Sequence, residues 1–337
     1  MKKLLAFIVI SCLLSGIADA KLIVITTTAD LASLVKEVGG DRVQVSSLIT
    51  GARDPHRIEA KPSYMSKAAG ANLWVAIGLE LEIGYEPPIL EGSGNSKIRV
   101  GAAGHVYAGE WVKVLGKSTS QVTRAQGDIH PYGNPHIWLD PYNGRVIARK
   151  LADRMGSLDK GSATFYDGNA ENFVKRLDIA MFGAALVGKF GGEQLWAWDN
   201  SGDLSATLRS KNALGDLGGW AGKMLRYRGQ PVVTYHRSWA YFLSRFDLKV
   251  VAELEPKPGL DPSPGHVASV IRTVQSNNVK AIIQEPYYST KNGQFVAERA
   301  SSNLVVLPGS VGHDPAAKDY ISLFDTIVSR LTAAFAR

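Results

Sequence analysis

Apolar and polar positions alternate along the chain in a repeating β-α rhythm. Residues 21–26 form a β-branched run that predicts a strand. Leu31, Leu34, Val35 and Val38 then recur at helical spacing until Gly39-Gly40 stops the helix. Residues 43–49 read as a second strand, 62–69 as a short helix, 73–77 as a third strand and 98–100 as a fourth. Apolar residues are sparse among Ser, Gly, Thr and Gln over 116–134, so a surface loop is expected there. Helical spacing returns over 141–155 and again over 170–187, a stretch without Pro or Gly before Gly183 that predicts one rod. Residues 191–229 hold Trp196, Trp198 and Trp220 among many glycines and read as a local aromatic core. The rhythm then resumes, with strands expected at 232–234, 249–252, 281–283 and 304–307 and helices at 238–244, 267–275 and 320–335. Strands alternating with helices imply parallel sheets. The predicted fold is α/β: two β/α lobes, 21–155 and 191–337, joined by a long rigid linking helix within 156–190.

The N-terminus follows a different pattern. Lys2 and Lys3 precede an apolar run over 4–14, and Ala18-Asp19-Ala20 supplies small residues for cleavage, so residues 1–20 read as a secretory signal peptide. The run is shorter than the roughly 20 apolar residues a membrane-spanning helix needs. A soluble, exported mature protein is therefore expected. Cleavage would also remove Cys12, the single cysteine, leaving no internal disulfide. Val9-Ile10-Ser11-Cys12 loosely resembles a lipoprotein cleavage box, which would place lipid on Cys12; the continuation of the run through Leu13 and Leu14 favours the later cut.

Composition narrows the picture only a little. With 337 residues, 45% hydrophobic and 20% charged, the chain is an ordinary globular one long enough for two domains. Its net charge of +7 is scattered without a Lys/Arg block, so nucleic-acid binding is not expected. Neither a G-x-S-x-G elbow nor a P-loop is present.

The candidate chemistry lies in the histidines. Of the seven, three share a setting. His56 follows the second expected strand in Arg53-Asp54-Pro55-His56. His136 leaves the polar loop in Gly133-Asn134-Pro135-His136. His236 ends a strand in Val233-Thr234-Tyr235-His236. Ligands of open α/β sheets gather outside the carboxyl ends of strands, and three neutral imidazoles can fill three corners of a tetrahedral zinc site. The residues are far apart in sequence and form no local metal box. From the residues alone a metal site and a set of hydrogen-bonded loop histidines both stay open.

The segments DPHRIEAKPSYM (54–65), GNPHIWLDP (133–141) and TYHRSWAYF (234–242), with ANLWVAIGLELE (71–82), DPSPGH (261–266) and QEPYYS (284–289), resemble the metal-binding family of ABC-transporter solute-binding proteins. The resemblance spans nearly the whole chain after residue 20. It implies two β/α lobes joined by one long helix, with a single metal ion held between them by His56, His136 and His236. His at the third position, where manganese receptors carry Glu, resembles the zinc branch, so Zn²⁺ is the expected cargo and Mn²⁺ the alternative. The implied partners are an inner-membrane ABC permease and its ATPase, the receptor itself being a monomer and not an enzyme. Binding through neutral imidazoles would weaken as pH falls through about 6.5.

Two departures from the family pattern stand out. Gly309 occupies the place of the family's fourth ligand, an Asp, so the fourth corner falls to water, His313 or Asp314. The passage 191–229 is also longer than the resemblance implies. The loop before His136 holds only Asp128 and His130; His130 is expected to be solvated and a second capture site is not expected. His105 reads as a loop or supporting residue and His266 as structural at a helix start. Glu285 reads as a partner that orients His236 or neutralises charge, or as a strand-end carboxylate bonded to backbone amides. The competing functions are a receptor for a chelated metal or other small solute, and a secreted three-His zinc hydrolase with water at the fourth corner.

Overall fold

Strand residues that alternate in the sequence part to two faces in space, and this division builds the molecule. The computed structural model describes residues 21–117, 130–257 and 259–337, so the expected signal peptide, Cys12 and Asp128 lie outside the described residues. The first lobe runs β1 (Leu22–Thr26), α1 (Ala29–Gly39), β2 (Val43–Ser47), α2 (Pro62–Ala69), β3 (Leu73–Ala76), α3 (Glu86–Ser93), β4 (His105–Tyr107) and α4 (Pro141–Leu158). Helix α5 (Ala163–Phe182) connects to four short helices, α6 (Ala184–Phe190), α7 (Gly192–Asn200), α8 (Leu204–Ser210) and α9 (Gly219–Met224). The second lobe follows with β5 (Pro231–Thr234), α10 (Ala240–Arg245), β6 (Lys249–Glu253), α11 (Pro264–Ser276), β7 (Ala281–Gln284), α12 (Thr290–Ala300), β8 (Asn303–Val306) and α13 (Tyr320–Phe335).

Both sheets are parallel and share one topology, β2-β1-β3-β4 and β6-β5-β7-β8. In each, strand order reverses beside the first strand, and a parallel α/β sheet opens a crevice at the carboxyl ends there. Val24, Leu73, Val75, Val232, Ala281 and Ile283 point into one continuous core shared by both lobes and α5. Their neighbours Ile25, Trp74 and Ala76 fill a separate core on the outer face of the first sheet, and Val233 and Ile282 fill its counterpart on the second. Strands buried on both faces explain why these runs are nearly all apolar. The shared core makes the two lobes one packed body.

Helix starts are set by local chemistry. Thr28 accepts from the Leu31 amide to cap α1, Asp140 accepts from Tyr142 just ahead of Pro141 at the head of α4, and Asp319 with Ser322 forms a capping box on α13. The fourth strand is β4, not 98–100. Ser96–Ile98 is a 3-10 turn, and Gly101 at φ 85° redirects the chain. A Cβ on Gly104 would lie 2.4 Å from the Asn72 carbonyl, so only glycine brings the backbone close enough to start the strand at His105. Helices α3 and α12 escaped the periodicity because one opens on Pro87-Pro88 and the other holds few apolar residues. The rod is α5, which begins earlier than expected and ends at Gly183, where φ is 85°.

The passage after α5 is helical. Leu195, Trp196, Leu208, Trp220 and Met224 join the shared core, so its aromatics belong to the main core and not to a local one, and polar ties are added to that packing. Arg245 of α10 forms paired bonds to Asp140 at 2.8 Å and reaches Asp199 of α7 at 2.5 Å. Trp196 of α7 donates to Asp178 of α5, which also accepts from Arg145 of α4. Buried, multiply bonded charge pairs of this kind specify one arrangement, and truncating one partner costs about 3–5 kcal/mol. The knot ties α4, α5, α7 and α10 together behind the crevice. No helix among the described residues is long and apolar enough to cross a membrane.

Candidate metal centre

Three loops bring histidines to the crevice. His56 lies in the long connection after β2, His136 just before α4, and His236 two residues beyond β5. Their ring centroids are 5.1, 5.4 and 5.6 Å apart, and one ring nitrogen from each lies within 4.8 Å of the other two. His136 and His236 are buried, and His56 is partly so.

Each ring is aimed. Asp54 Oδ1 accepts from the His56 backbone amide at 3.0 Å and from its Nδ1 at 2.8 Å. Asn134 Oδ1 does the same for His136, at 2.9 Å to the amide and 2.9 Å to Nδ1. Glu255, which follows β6, accepts from His236 Nδ1 at 2.7 Å. With each Nδ1–H donated, the lone pair falls on Nε2. The Nε2 atoms of His56 and His136 are buried without any hydrogen-bond partner, an arrangement native structures rarely leave unused.

The electrostatics divide the rings. Burial, reinforced by His56 and His236, holds His136 well below the ordinary imidazole pKa and keeps it neutral. Burial also disfavours charge on His236, but the hydrogen bond and negative charge of Glu255, with Glu285 and Asp54, outweigh it and raise its pKa. For Asp54, desolvation is outweighed by the hydrogen bonds and charge of His56, which hold its carboxyl low.

Other candidates are placed differently. His130 is not a solvated loop residue: its ring lies 5.2 Å from that of His56, and its Nε2 is buried and unpartnered. Its Nδ1 lies 3.2 Å from the Leu79 carbonyl. Loop composition pointed to solvent, whereas the turn after β3 draws this ring inward. Glu285 does not orient His236; Glu255 does. Glu285 is fully buried with neither oxygen in a well-formed hydrogen bond, and burial raises its pKa to about 7. His313 stands 5.6 Å from Tyr287, its buried Nδ1 unpartnered. Asp314 turns away to Arg330. His105 sits in β4 against Glu86, and His266 reaches the Glu253 carbonyl at 2.9 Å. Glu255 left no mark in the sequence. Asp54 and Asn134 did, as the repeated Asx-Pro-His spacing.

Two parallel α/β lobes with convergent imidazoles at their shared crevice define a class: two-lobed binding proteins whose crevice residues are placed so that they could hold a metal ion. Comparison with known proteins makes this specific. The model of the family described as zinc-uptake complex component A, periplasmic, matches residues 24–180 and 209–334, and the chain belongs to that family. The manganese ABC transporter substrate-binding lipoprotein PsaA of Streptococcus mitis is 28% identical over 185 residues, 52% of this chain and 55% of that protein. A metal ABC transporter substrate-binding lipoprotein of Lactococcus lactis is 21% identical, covering 80% of this chain and 72% of its own length. The alignment with the Streptococcus mitis protein thus spans about half of that relative's length. A crystal structure of ZnuA shares the fold, with TM-score 0.66 and 21% identity over 93% of this chain and 98% of that one. So does a Mn-bound periplasmic metal binding protein from candidatus liberibacter asiaticus, with TM-score 0.66, 18% identity and coverage of 93% and 99%. The family match leaves out 181–208, which holds α6, α7 and part of α8.

Proposed function

We propose that this protein is an extracytoplasmic receptor that captures one divalent transition-metal ion, Zn²⁺ by preference, and delivers it to an ABC importer. The observation that carries this reading is the convergence of His56, His136 and His236 from both lobes, each with its Nδ1 held by a side-chain oxygen. Nε2 of each ring would ligate the ion as cargo. The chain is a binding component and not an enzyme, so its mechanism is capture and release without bond chemistry. Neutral imidazole donors suit Zn²⁺ better than the oxygen-rich sites suited to Mn²⁺. Asp54 and Glu255, each behind a ligating ring, would together offset the dication.

A second reading, Mn²⁺ as cargo, draws on the relatives named as manganese receptors. The partners are an inner-membrane permease and its ATPase. The periplasm is the proposed location, supported by the family's description and the leader-like pattern of residues 1–20. Cys12 is where lipid would be attached if the chain were processed like the relatives named lipoproteins. Release would follow from loop movement more than wide lobe opening, because Trp138 donates to the Gly309 carbonyl at 2.8 Å and Tyr241 to that of Asn134 at 2.7 Å across the crevice. Competition titration of apo protein with Zn²⁺ and Mn²⁺ tests the proposal. One tightly bound Zn²⁺ per chain, lost in His236→Ala, is expected; tighter Mn²⁺ binding would favour the second reading.

A further inference from the structure

Among the described residues a fourth imidazole, that of His130, stands beside His56. We infer that His130 supplies the fourth corner of the metal site, making it an all-nitrogen tetrahedral centre; the inference rests on the three-histidine reading above. His56 is the hub, with the rings of His136, His130 and His236 at 5.1, 5.2 and 5.4 Å from its own. His130, His136 and His236 line one cavity of about 350 Å³. Like those of His56 and His136, the Nε2 of His130 is buried with no hydrogen-bond partner.

The ring is also held from behind. Its Nδ1–H points to the Leu79 carbonyl, and Leu79 sits in a turn where Gly78, Leu79 and Glu80 have φ of 79°, 57° and 65°. Two consecutive non-glycine residues in the left-handed region are costly, and such strain persists only where surrounding structure imposes it. Glu82 imposes it here. Its buried carboxylate accepts from the Ile77 amide at 2.7 Å, the Gly78 amide at 2.9 Å and the Thr27 hydroxyl at 2.8 Å. A chain of fixed groups thus runs from Glu82 through the turn and the Leu79 carbonyl to His130, leaving Nε2 toward the crevice. A backbone carbonyl behind a ligating imidazole is a familiar way to fix its tautomer. The rival nitrogen, on His313, lines a different cavity, of about 10 Å³, with His136, Glu285 and Tyr287, and its ring is in contact with Tyr287 and with none of the three histidines. Tetrahedral ligands at zinc–nitrogen distances of about 2.0–2.1 Å stand about 3.3 Å apart. His130 lies outside the set of nitrogens within 4.8 Å of one another, so its ring must move inward to complete the site on loading.

The test loads wild-type, His130→Ala and His313→Ala proteins with Zn²⁺ for chelator competition, and with Co²⁺ as a spectroscopic probe. X-ray absorption counts the imidazoles. Wild-type protein is expected to show four imidazoles and tetrahedral cobalt bands. His130→Ala should show three, with altered bands and Zn²⁺ affinity lower by about 10–100-fold, at least the loss seen when supporting groups are removed. Added imidazole should restore the bands, and His313→Ala should match wild type. Unchanged affinity and spectra in His130→Ala, with one ion still bound by wild type, would overturn the inference and leave the three-histidine reading standing. Absence of uptake by wild-type protein would overturn both.

Discussion

The two lobes aim their histidines by different means. In the first lobe Asp54 and Asn134 each sit two residues ahead of a histidine, across a proline, and grip both its backbone amide and its ring. In the second lobe His236 is gripped by Glu255, 19 residues away beyond the neighbouring strand. The first device forms with its own loop, since Asx side chains readily bond the backbone two residues on. The second exists only once β5 and β6 have paired. Backbone bonds continue that pairing, from Leu254 to the Thr234 carbonyl and from Glu255 to the Tyr235 carbonyl. The first half of the centre is thus built locally, and the second depends on the assembled sheet.

The largest effects should come from the rings proposed to ligate the ion. His136→Ala or His236→Ala is expected to weaken Zn²⁺ binding by more than about 100-fold in competition titration, beyond the range for supporting groups. Next come the aiming groups. Glu255→Ala should cost about 100-fold, because it removes both the tautomer lock and a buried countercharge, and Asn134→Ala about tenfold. Equal losses from the two would break the contrast between the lobes. Asp54→Asn should cost less than tenfold, since Asn134 performs the same task with an amide; a larger loss would show that the charge of Asp54 matters as well as its geometry.

The effect expected to be smallest on metal binding concerns the seam between the lobes, where the readout is stability. Asp30 of α1 accepts from the Val311 amide at 2.9 Å and from the Ser310 hydroxyl, and burial raises its pKa from 3.8 to about 7. Between those values the folded state holds a proton that the unfolded state has lost. The contribution is therefore full at and below pH 4 and is lost as pH rises toward 7, with an upper bound of about 4 kcal/mol. Asp30→Asn should flatten the decline in denaturant stability over that range without changing metal stoichiometry. A slope unchanged from wild type would remove Asp30 as its source.

Much of this was legible along the chain. Strands buried on both faces announce themselves as apolar runs, as in Leu73–Ala76 and Ala281–Gln284. His56, His136 and His236 stood out because each follows a strand or a prolyl turn at the crevice. His130 was misread because the composition of its loop says nothing about the Gly78–Glu80 turn that holds it. Glu255 was missed because its tie to His236 passes through strand pairing, which leaves no local signature. The fourth strand was misplaced because Gly101 and Gly104 reroute the chain in a way that periodicity does not register.

The most direct measurement is zinc stoichiometry by competition titration of the apo protein, run beside a triple variant lacking His56, His136 and His236. One ion per wild-type chain and none for the variant is the predicted result. Retention of zinc by the variant, or no stoichiometric uptake by the wild type, would contradict a shared site built from both lobes.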